Sequence, residues 1–327
     1  MPRRSPLVIG HRGAPGYRPE HSRSSYELAL AMGVDAVEPD VVATKDGVLV
    51  LRHENEISGT TDVADHPEFA DRRTTKRIDG ADLTGWFTED FTWDELATLR
   101  TRERLPRIRR SSATFDDAQP ILRLTDLLDL VRAGSEEHGR EIGIVLEIKH
   151  ATYFQSIGLD LAPLIERDLR AGGWADGELP LIIECFESTI LERLRTVGIA
   201  ASFVYLIEAS GTPYDLVAAL GDAAPRYADV VTPAGLDRLV GRVDGISVSK
   251  KMLLASGSTL VADAHARGLR VFTWTCRPEN AFLDRRFRTG GGKAAFGDFE
   301  GEWQAIADTG LDGVFVDHPD LGVAFFR

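Results

Sequence analysis

The feature that most restricts the fold is an alternation, along almost the whole chain, of short apolar runs with segments of helical character. The runs are rich in β-branched residues and lie at Leu7–Gly10, Ala36–Val42, Ile142–Ile148, Leu181–Phe186, Ser202–Ile207, Gly245–Val248, Arg270–Trp274 and Gly313–Val316. Continuous apolar runs of this length are typical of strands buried on both faces of a parallel sheet. The segments between them predict helices at Ser24–Met32, Thr125–Ala133, Leu159–Ala171, Ser188–Val197, Ser258–Arg267 and Glu302–Asp308.

This alternation favours an α/β fold, a single (β/α)8 TIM barrel that spans residues 1–327. A chain of 327 residues is long enough for two domains, but α/β barrels of this length form one domain. A doubly wound open sheet is the alternative fold. It is disfavoured because no Gly-x-Gly-x-x-Gly sequence follows the first apolar run.

Composition narrows the classes of partner. The net charge of −13 argues against nucleic acid, because a strongly acidic surface repels polyanions. No apolar stretch approaches the ~20 residues of a membrane span, so stable membrane insertion is not expected. The basic start, residues 1–4, precedes an apolar run that is too short for a signal peptide. We expect a cytoplasmic protein, or a secreted or periplasmic one if a signal was removed.

Polar side chains follow several of the predicted strands at the point where each strand ends. Active sites of (β/α)8 barrels lie at these carboxyl ends. The residues are His11 and Arg12 after the first strand, Glu38 and Asp40 on the second, His53 on an additional strand, Glu147 and Lys149 on the third, and Trp274 on the seventh.

The carboxylates predict a metal site. Glu38 and Asp40 are two residues apart on a strand, so both side chains point to the same face. Together with Glu147 they would repel one another at the mouth of a barrel unless a cation joined them. Carboxylate oxygens suit Mg²⁺ or Ca²⁺ far better than zinc. We therefore predict a divalent metal, Mg²⁺ or Ca²⁺, bound by these three residues.

The remaining polar residues are suited to phosphate chemistry. His11 and His53 lie on neighbouring elements, and two histidines can supply a base for an attacking oxygen and an acid for a leaving alkoxide. The planar guanidinium of Arg12 and the ammonium of Lys149 suit phosphate oxygens. Trp274 is predicted to form a wall of the substrate site.

Several of these residues belong to short motifs that occur in a fixed order. The motifs are His11-Arg12-Gly13, Pro19-Glu20-His21-Ser22, Val37-Glu38-Pro39-Asp40-Val41, Thr44-Lys45-Asp46-Gly47, Arg52-His53-Glu54, Leu146-Glu147-Ile148-Lys149, Val271–Trp274, and Asp312-Gly313-Val314 with Asp317-His318-Pro319-Asp320. In this order they resemble the glycerophosphodiester phosphodiesterase family, and the resemblance covers essentially the whole chain outside one inserted segment.

The resemblance implies hydrolysis of a small glycerophosphodiester to glycerol phosphate and an alcohol. It implies that Glu38, Asp40 and Glu147 ligate the metal, that the two histidines are the acid/base pair, and that Arg12 and Lys149 hold phosphate. The attacking group is either a neighbouring glycerol hydroxyl, through a cyclic phosphate, or water.

The chain departs from the family pattern at three positions. His21 stands where Asn is usual, so the hydrogen bonds of that turn are expected to differ. Pro39 lacks an N–H and predicts a local irregularity in the second strand. Glu184-Cys185-Phe186 replaces a polar-Ser-Phe sequence, and Glu184 is either a contact of metal-bound water or substrate, or a bystander. Asp317 is predicted to fix the turn after the last strand.

One segment interrupts the strand–helix repeat. Val48–His53 follows the second strand after an Asp-Gly pair, which favours a hairpin. Residues 54–119 are then polar and weakly periodic, and they are too long for a simple barrel loop. We predict that 54–119 is an insertion that caps the catalytic face and narrows the pocket to small diesters. Its arginines, within 72–77 and 107–110, are either solvated or guide an anionic substrate.

The sequence is also compatible with two other functions. A relative acting on lipid substrates would use the same residues and differ only at the rim of the site. A barrel that had lost catalysis and served as a binding module would be expected to lack His11, His53 or a ligand carboxylate, and all of these are present. The other histidines are predicted to be surface or loop residues: His66, His138, His150, His265 and His318.

Overall fold

The computed structural model describes residues 5–327, and the basic start at residues 1–4 lies outside the described residues. The strands are β1 (Leu7–His11), β2 (Ala36–Glu38), β3 (Asp40–Ala43), β4 (Leu49–Leu51), β5 (Thr74–Ile78), β6 (Ala81–Gly85), β7 (Gly143–Ile148), β8 (Leu181–Cys185), β9 (Ser202–Ile207), β10 (Gly245–Ser249), β11 (Arg270–Cys276) and β12 (Gly313–Val316). The helices are α1 (Arg23–Ala31), α2 (Trp93–Leu96), α3 (Leu124–His138), α4 (Ala151–Ser156), α5 (Leu161–Ala171), α6 (Ser188–Thr196), α7 (Tyr214–Leu220), α8 (Tyr227–Val230), α9 (Pro233–Leu239), α10 (Lys250–Leu253), α11 (Leu260–His265), α12 (Phe299–Ala307) and α13 (Pro319–Phe326).

The parallel strands close into a barrel, which confirms the predicted fold. The order of pairing is β2, β1, β12, β11, β10, β9, β8, β7, β3 and β4, and the additional pairing of β2 with β7 closes the ring. The predicted second strand is divided at Pro39 into β2 and β3, because proline cannot donate to the strand ladder. β4 pairs antiparallel with β3 and forms the predicted hairpin.

The interior of the barrel determines which side chains reach the catalytic end. A small apolar cluster fills this interior and consists of Ile9, Ala36, Val145, Val204, Phe272 and Phe315. A larger hydrophobic core is formed by side chains of the strands and of the surrounding helices. Side chains alternate along a strand, so the residue two positions after each interior residue also points inward, one layer nearer the carboxyl ends. These residues are His11, Glu38, Glu147, Leu206, Trp274 and Asp317.

The inserted segment is folded against the barrel. It contains the two-stranded sheet of β5 and β6, which the sequence analysis did not predict. Phe87 and Phe91 are fully buried in the same core as the barrel side chains. The Lys45 N–H donates to the Phe91 carbonyl at 2.8 Å, and the Trp93 N–H donates to Asp46 Oδ1 at 2.9 Å. These bonds attach the segment to the β3–β4 hairpin.

Several short elements differ from the sequence predictions. The helices α2, α4, α7, α8, α9, α10 and α13 were not predicted, because elements of one or two turns are too short to show a periodic pattern. His318 was predicted at the surface but is buried, with its ring packed edge-on against Tyr17 and Phe296. Within residues 5–327, no helix has the length and apolar character that crossing a membrane would require.

Candidate active site

A cavity of about 440 Å³ opens at the carboxyl end of the barrel. Its walls include all the predicted site residues except Asp40, which is fully buried beside them: His11, Arg12, Glu38, His53, Glu147, Lys149 and Trp274. Residues that the sequence analysis did not place in the site also line it, among them Phe186, Lys250, Arg277 and Phe282. The tertiary structure therefore brings the predicted residues together in one pocket.

Three carboxylates form the floor of the site. One oxygen each of Glu38, Asp40 and Glu147 lies within 4.8 Å of the others. Glu38 Oε1 and Asp40 Oδ1 have no hydrogen-bond partner among the described residues, although both atoms are buried. A buried carboxylate oxygen without a partner is costly. Three carboxylates this close together fit a hard divalent cation. The donor set therefore suits a divalent metal.

The pKa values of these carboxylates reflect the same crowding. Burial, together with the neighbouring carboxylates, raises the pKa of Glu38 well above its usual range. Burial also raises the pKa of Glu147 to about 8. Burial acts on Asp40 in the same direction, but the adjacent Arg12 and Lys149 cations hold its pKa well below the usual range. A cation that replaces the protons would relieve the repulsion.

Two cations line the cavity beside the carboxylates. Arg12 has its Nε 3.0 Å from Asp40 Oδ2, and its backbone N–H donates to Glu38 Oε2 at 2.8 Å. The backbone φ angle of Arg12 is 56°, which lies in the left-handed region that residues other than glycine rarely adopt. Lys149 Nζ donates to Glu147 Oε1 at 2.6 Å. Both side chains are positioned to meet an anion in the cavity.

Each of the two predicted catalytic histidines has a carboxylate behind it. His11 Nδ1 lies 2.6 Å from Asp317 Oδ1, and His53 Nδ1 lies 2.6 Å from Glu54 Oε1. Burial lowers the pKa of His11 to about 4 and that of His53 to about 3, so both rings are neutral at neutral pH. At His11, where Nδ1 and Asp317 Oδ1 are hydrogen-bonded, an Nδ1–H donated to the carboxylate leaves the lone pair on Nε2. The contact between His53 and Glu54 is an ion-pair contact by distance. Asp317 thus contacts a site histidine, whereas the sequence analysis assigned it to a turn.

Residues beside the site complete its surroundings. His21, where Asn was expected, has Nε2 2.9 Å from Asp40 Oδ2 and Nδ1 2.8 Å from the Tyr26 hydroxyl oxygen. Glu184 pairs in register with Glu147 and lines the cavity, so the first of the two alternatives left open for it agrees with its position. The Trp274 ring meets Phe186 edge-on at 5.7 Å and forms an apolar wall.

The arginines of the insertion do not reach the cavity. Within residues 5–327, the side chains that line it come from outside 54–119. Arg72 pairs instead with Glu95, and Arg109 pairs with Glu279 and Asp317. The spacing of the arginines in the sequence does not indicate these partners, because each partner carboxylate is distant in sequence from its arginine.

Residues 11–321 match the glycerophosphoryl diester phosphodiesterase family. The chain belongs to this family. It is a glycerophosphodiester phosphodiesterase, as the motif resemblance predicted. Glycerophosphodiester phosphodiesterase GDPD6 of Arabidopsis thaliana is 30% identical over 345 aligned positions, which cover 95% of this chain and 83% of that protein. A glycerophosphodiester phosphodiesterase of Haemophilus influenzae is 24% identical, with coverage of 98% and 90%.

Solved structures show the same fold. A Silicibacter pomeroyi protein assigned to this activity has a TM-score of 0.70 and 23% identity, covering 100% of this chain and 94% of that chain. An Oleispira antarctica phosphodiesterase, solved with the product sn-glycerol-3-phosphate, has a TM-score of 0.65 and 19% identity, with coverage of 98% and 96%. Proteins of distant sequence therefore share this barrel.

Proposed function

We propose that the protein hydrolyses small glycerophosphodiesters to glycerol phosphate and an alcohol. In this proposal Glu38, Asp40 and Glu147 hold a divalent metal, and His11 and His53 form the acid/base pair. The observation that carries it is the convergence of a carboxylate triad, two phosphate-binding cations and two neutral imidazoles around one cavity. No single strand end contributes more than two of these groups, so chance proximity is a poor explanation.

The metal is Mg²⁺ or Ca²⁺ in this proposal, because the donors are carboxylate oxygens. When bound, such an ion would polarise the phosphoryl group and offset the charge of the triad. Arg12 and Lys149 then bind the non-bridging phosphate oxygens, the first through its planar fork and the second as a point charge. Trp274 and Phe186 pack against the organic part of the substrate.

The histidines move protons at Nε2. A neutral imidazole with a carboxylate beside Nδ1, Asp317 for His11 and Glu54 for His53, can accept a proton at Nε2 from the attacking glycerol hydroxyl or water. The charge of the bound phosphodiester favours the imidazolium form, so the second ring can hold a proton for the leaving alkoxide. The carboxylate behind each ring fixes its tautomer and stabilises its charged form.

Two features support a small, water-soluble substrate. A cavity of about 440 Å³ accommodates a glycerophosphodiester of modest size but not two acyl chains. The Oleispira phosphodiesterase of the same fold was solved with sn-glycerol-3-phosphate. We also propose that residues 54–119 cap the catalytic face, and that nucleic acid is excluded by the net charge of −13.

A panel of glycerophosphodiesters tests the proposal. The protein is incubated with substrates that differ in the alcohol, namely choline, ethanolamine, glycerol and inositol, with and without EDTA. We expect release of glycerol phosphate and the alcohol only when metal is present. Turnover of lysophospholipids in preference to this panel would favour the lipid-acting alternative. Absence of turnover of any diester, with metal bound, would favour a binding module.

A further inference from the structure

We infer that Asp79, Arg104 and Arg109 of the inserted segment are positioning residues for the reaction. Each holds a residue of the active-site cavity through intermediate side chains, although none of the three lines the cavity. The inference rests on the proposed function, since it takes the roles proposed there for the two histidines and for Arg12.

Arg109 supports His11 through Asp317. The Arg109 guanidinium donates to Asp317 Oδ2 at 2.5 Å and to Glu279 Oε1 at 2.8 Å, while Asp317 Oδ1 lies 2.6 Å from His11 Nδ1. All four side chains are buried. Arg277 Nε lies 2.6 Å from the same Asp317 oxygen, so the carboxylate is held from two sides. Rotation of Asp317 away from the imidazole would break its ion pairs with the buried Arg109 and with Arg277.

Arg104 supports the phosphate-binding arginine through Glu20. Arg104 donates from Nε to Glu20 Oε2 at 2.9 Å and from Nη2 to Glu20 Oε1 at 2.6 Å, which is a two-pronged contact. The same carboxylate accepts from Arg12 Nη1 at 3.1 Å. A bidentate arginine fixes both the position and the plane of a carboxylate. Arg104 therefore restricts the direction from which Glu20 holds Arg12.

Asp79 supports His53 through a longer chain. Asp79 Oδ2 lies 2.6 Å from His150 Nδ1, His150 Nε2 lies 3.4 Å from Glu54 Oε2, and Glu54 Oε1 lies 2.6 Å from His53 Nδ1. Asp79 and His150 have φ angles of 45° and 53°, which lie in the left-handed region. Residues other than glycine rarely adopt this backbone conformation unless the surrounding contacts require it. The β5–β6 turn is thus held against the strand end that carries Lys149.

The pattern of ion pairs in the insertion argues that these contacts serve the site. Among the described residues, every ion pair between 54–119 and the rest of the chain belongs to one of the three chains above or fixes Arg109 itself. The remaining ion pairs of the segment are internal, such as those of Arg102 with Asp65 and Asp117. If these ion pairs served stability alone, we would not expect them all to converge on residues that contact the proposed catalytic and phosphate-binding groups.

Four variants test the inference: Arg109→Gln, Arg104→Gln, Asp79→Asn and, as the matched control, Arg102→Gln. We expect the Arg109 and Asp79 variants to lower kcat on the order of 10-fold to 10²-fold, with KM within about twofold, because misplaced histidines slow the chemistry. We expect Arg104→Gln to act mainly by raising KM, because Arg12 holds the substrate phosphate. The control should match wild type, and metal affinity measured by calorimetry should be unchanged in all four.

The outcomes separate this inference from the proposed function. Full activity of His11→Ala would overturn the proposed function itself. If His11→Ala is inactive while the three variants behave like Arg102→Gln, the inference is wrong. Equal losses of kcat and folded fraction in all three would also overturn it, because they would indicate a structural role alone. If Arg109→Gln does not fold, Arg109→Gln with Glu279→Gln removes the unpaired charge on Glu279 and is assayed instead.

Discussion

Asp40 and Glu147 are paired residues of the neighbouring parallel strands β3 and β7, so the sheet register itself brings two carboxylates of the triad together. Glu38 is in register with His11 on the other side, across β1 and β2. The break at Pro39 leaves both carboxylates of the second barrel strand directed into the barrel. The repulsion among these acids is therefore a consequence of the fold, and a divalent cation is the group that relieves it.

The first prediction concerns metal dependence. EDTA should abolish activity, and Mg²⁺ or Ca²⁺ should restore it. In thermal or chemical unfolding, metal at about 100 times its Kd should stabilise the native protein by about 2.7 kcal/mol. Glu38→Gln should lose this metal-dependent gain without losing stability in EDTA, because it removes one buried charge from a crowded site. Full activity in the chelated sample would contradict the metal-centred mechanism.

The second prediction concerns the histidines. His11→Ala and His53→Ala should each lower kcat on the order of 10²-fold to 10⁴-fold, because each ring transfers a proton in the transition state. The double variant should lose much less than the product of the single losses, because the two rings act together. His265→Ala is a suitable control, since His265 is exposed and pairs with Asp312 at the amino end of β12. Steady-state kinetics on one diester measure all three effects.

The third prediction concerns pH. Burial lowers the pKa of His150, but contacts with Asp79 and Glu54 outweigh this effect and raise it to about 9. Because the folded pKa lies above the unfolded value of 6.5, the stabilisation is fully present below pH 6.5 and is lost as the pH rises through 9. The stability difference between wild type and Asp79→Asn should therefore shrink above that pH. Imidazole NMR should show one resonance with a high pKa that His150→Gln removes.

The fourth prediction concerns a buried ion pair at the wall of the cavity. Lys250 Nζ donates to Glu302 on α12, and Glu302 Oε2 also accepts from the Asp284 N–H at 2.6 Å. Lys250→Met should destabilise the protein by about 3–5 kcal/mol, because it leaves a buried carboxylate without its cation. Adding Glu302→Gln should recover part of that loss. Urea unfolding measures both, and an additive double variant would mean that the pair is not coupled.

Local pattern in the sequence was sufficient for the fold and for the residue types of the site. Period-two spacing predicted that Glu38 and Asp40 share a face, and the alternation of strands and helices predicted the barrel. Both follow from the geometry of consecutive residues. The same reasoning missed helices such as α10, because a single turn contains too few residues for a periodic signal.

Only the tertiary structure decided which groups support the catalytic residues. Arg109 and Asp317 are 208 positions apart, and Asp79 and His150 are 71 positions apart. Nothing in the sequence near these residues indicates their partners, because an ion pair depends on how the insertion packs over the closed barrel. The sequence alone determined which chemical groups point toward the carboxyl end of the barrel. Their orientation depends on contacts that form only when distant segments are packed together.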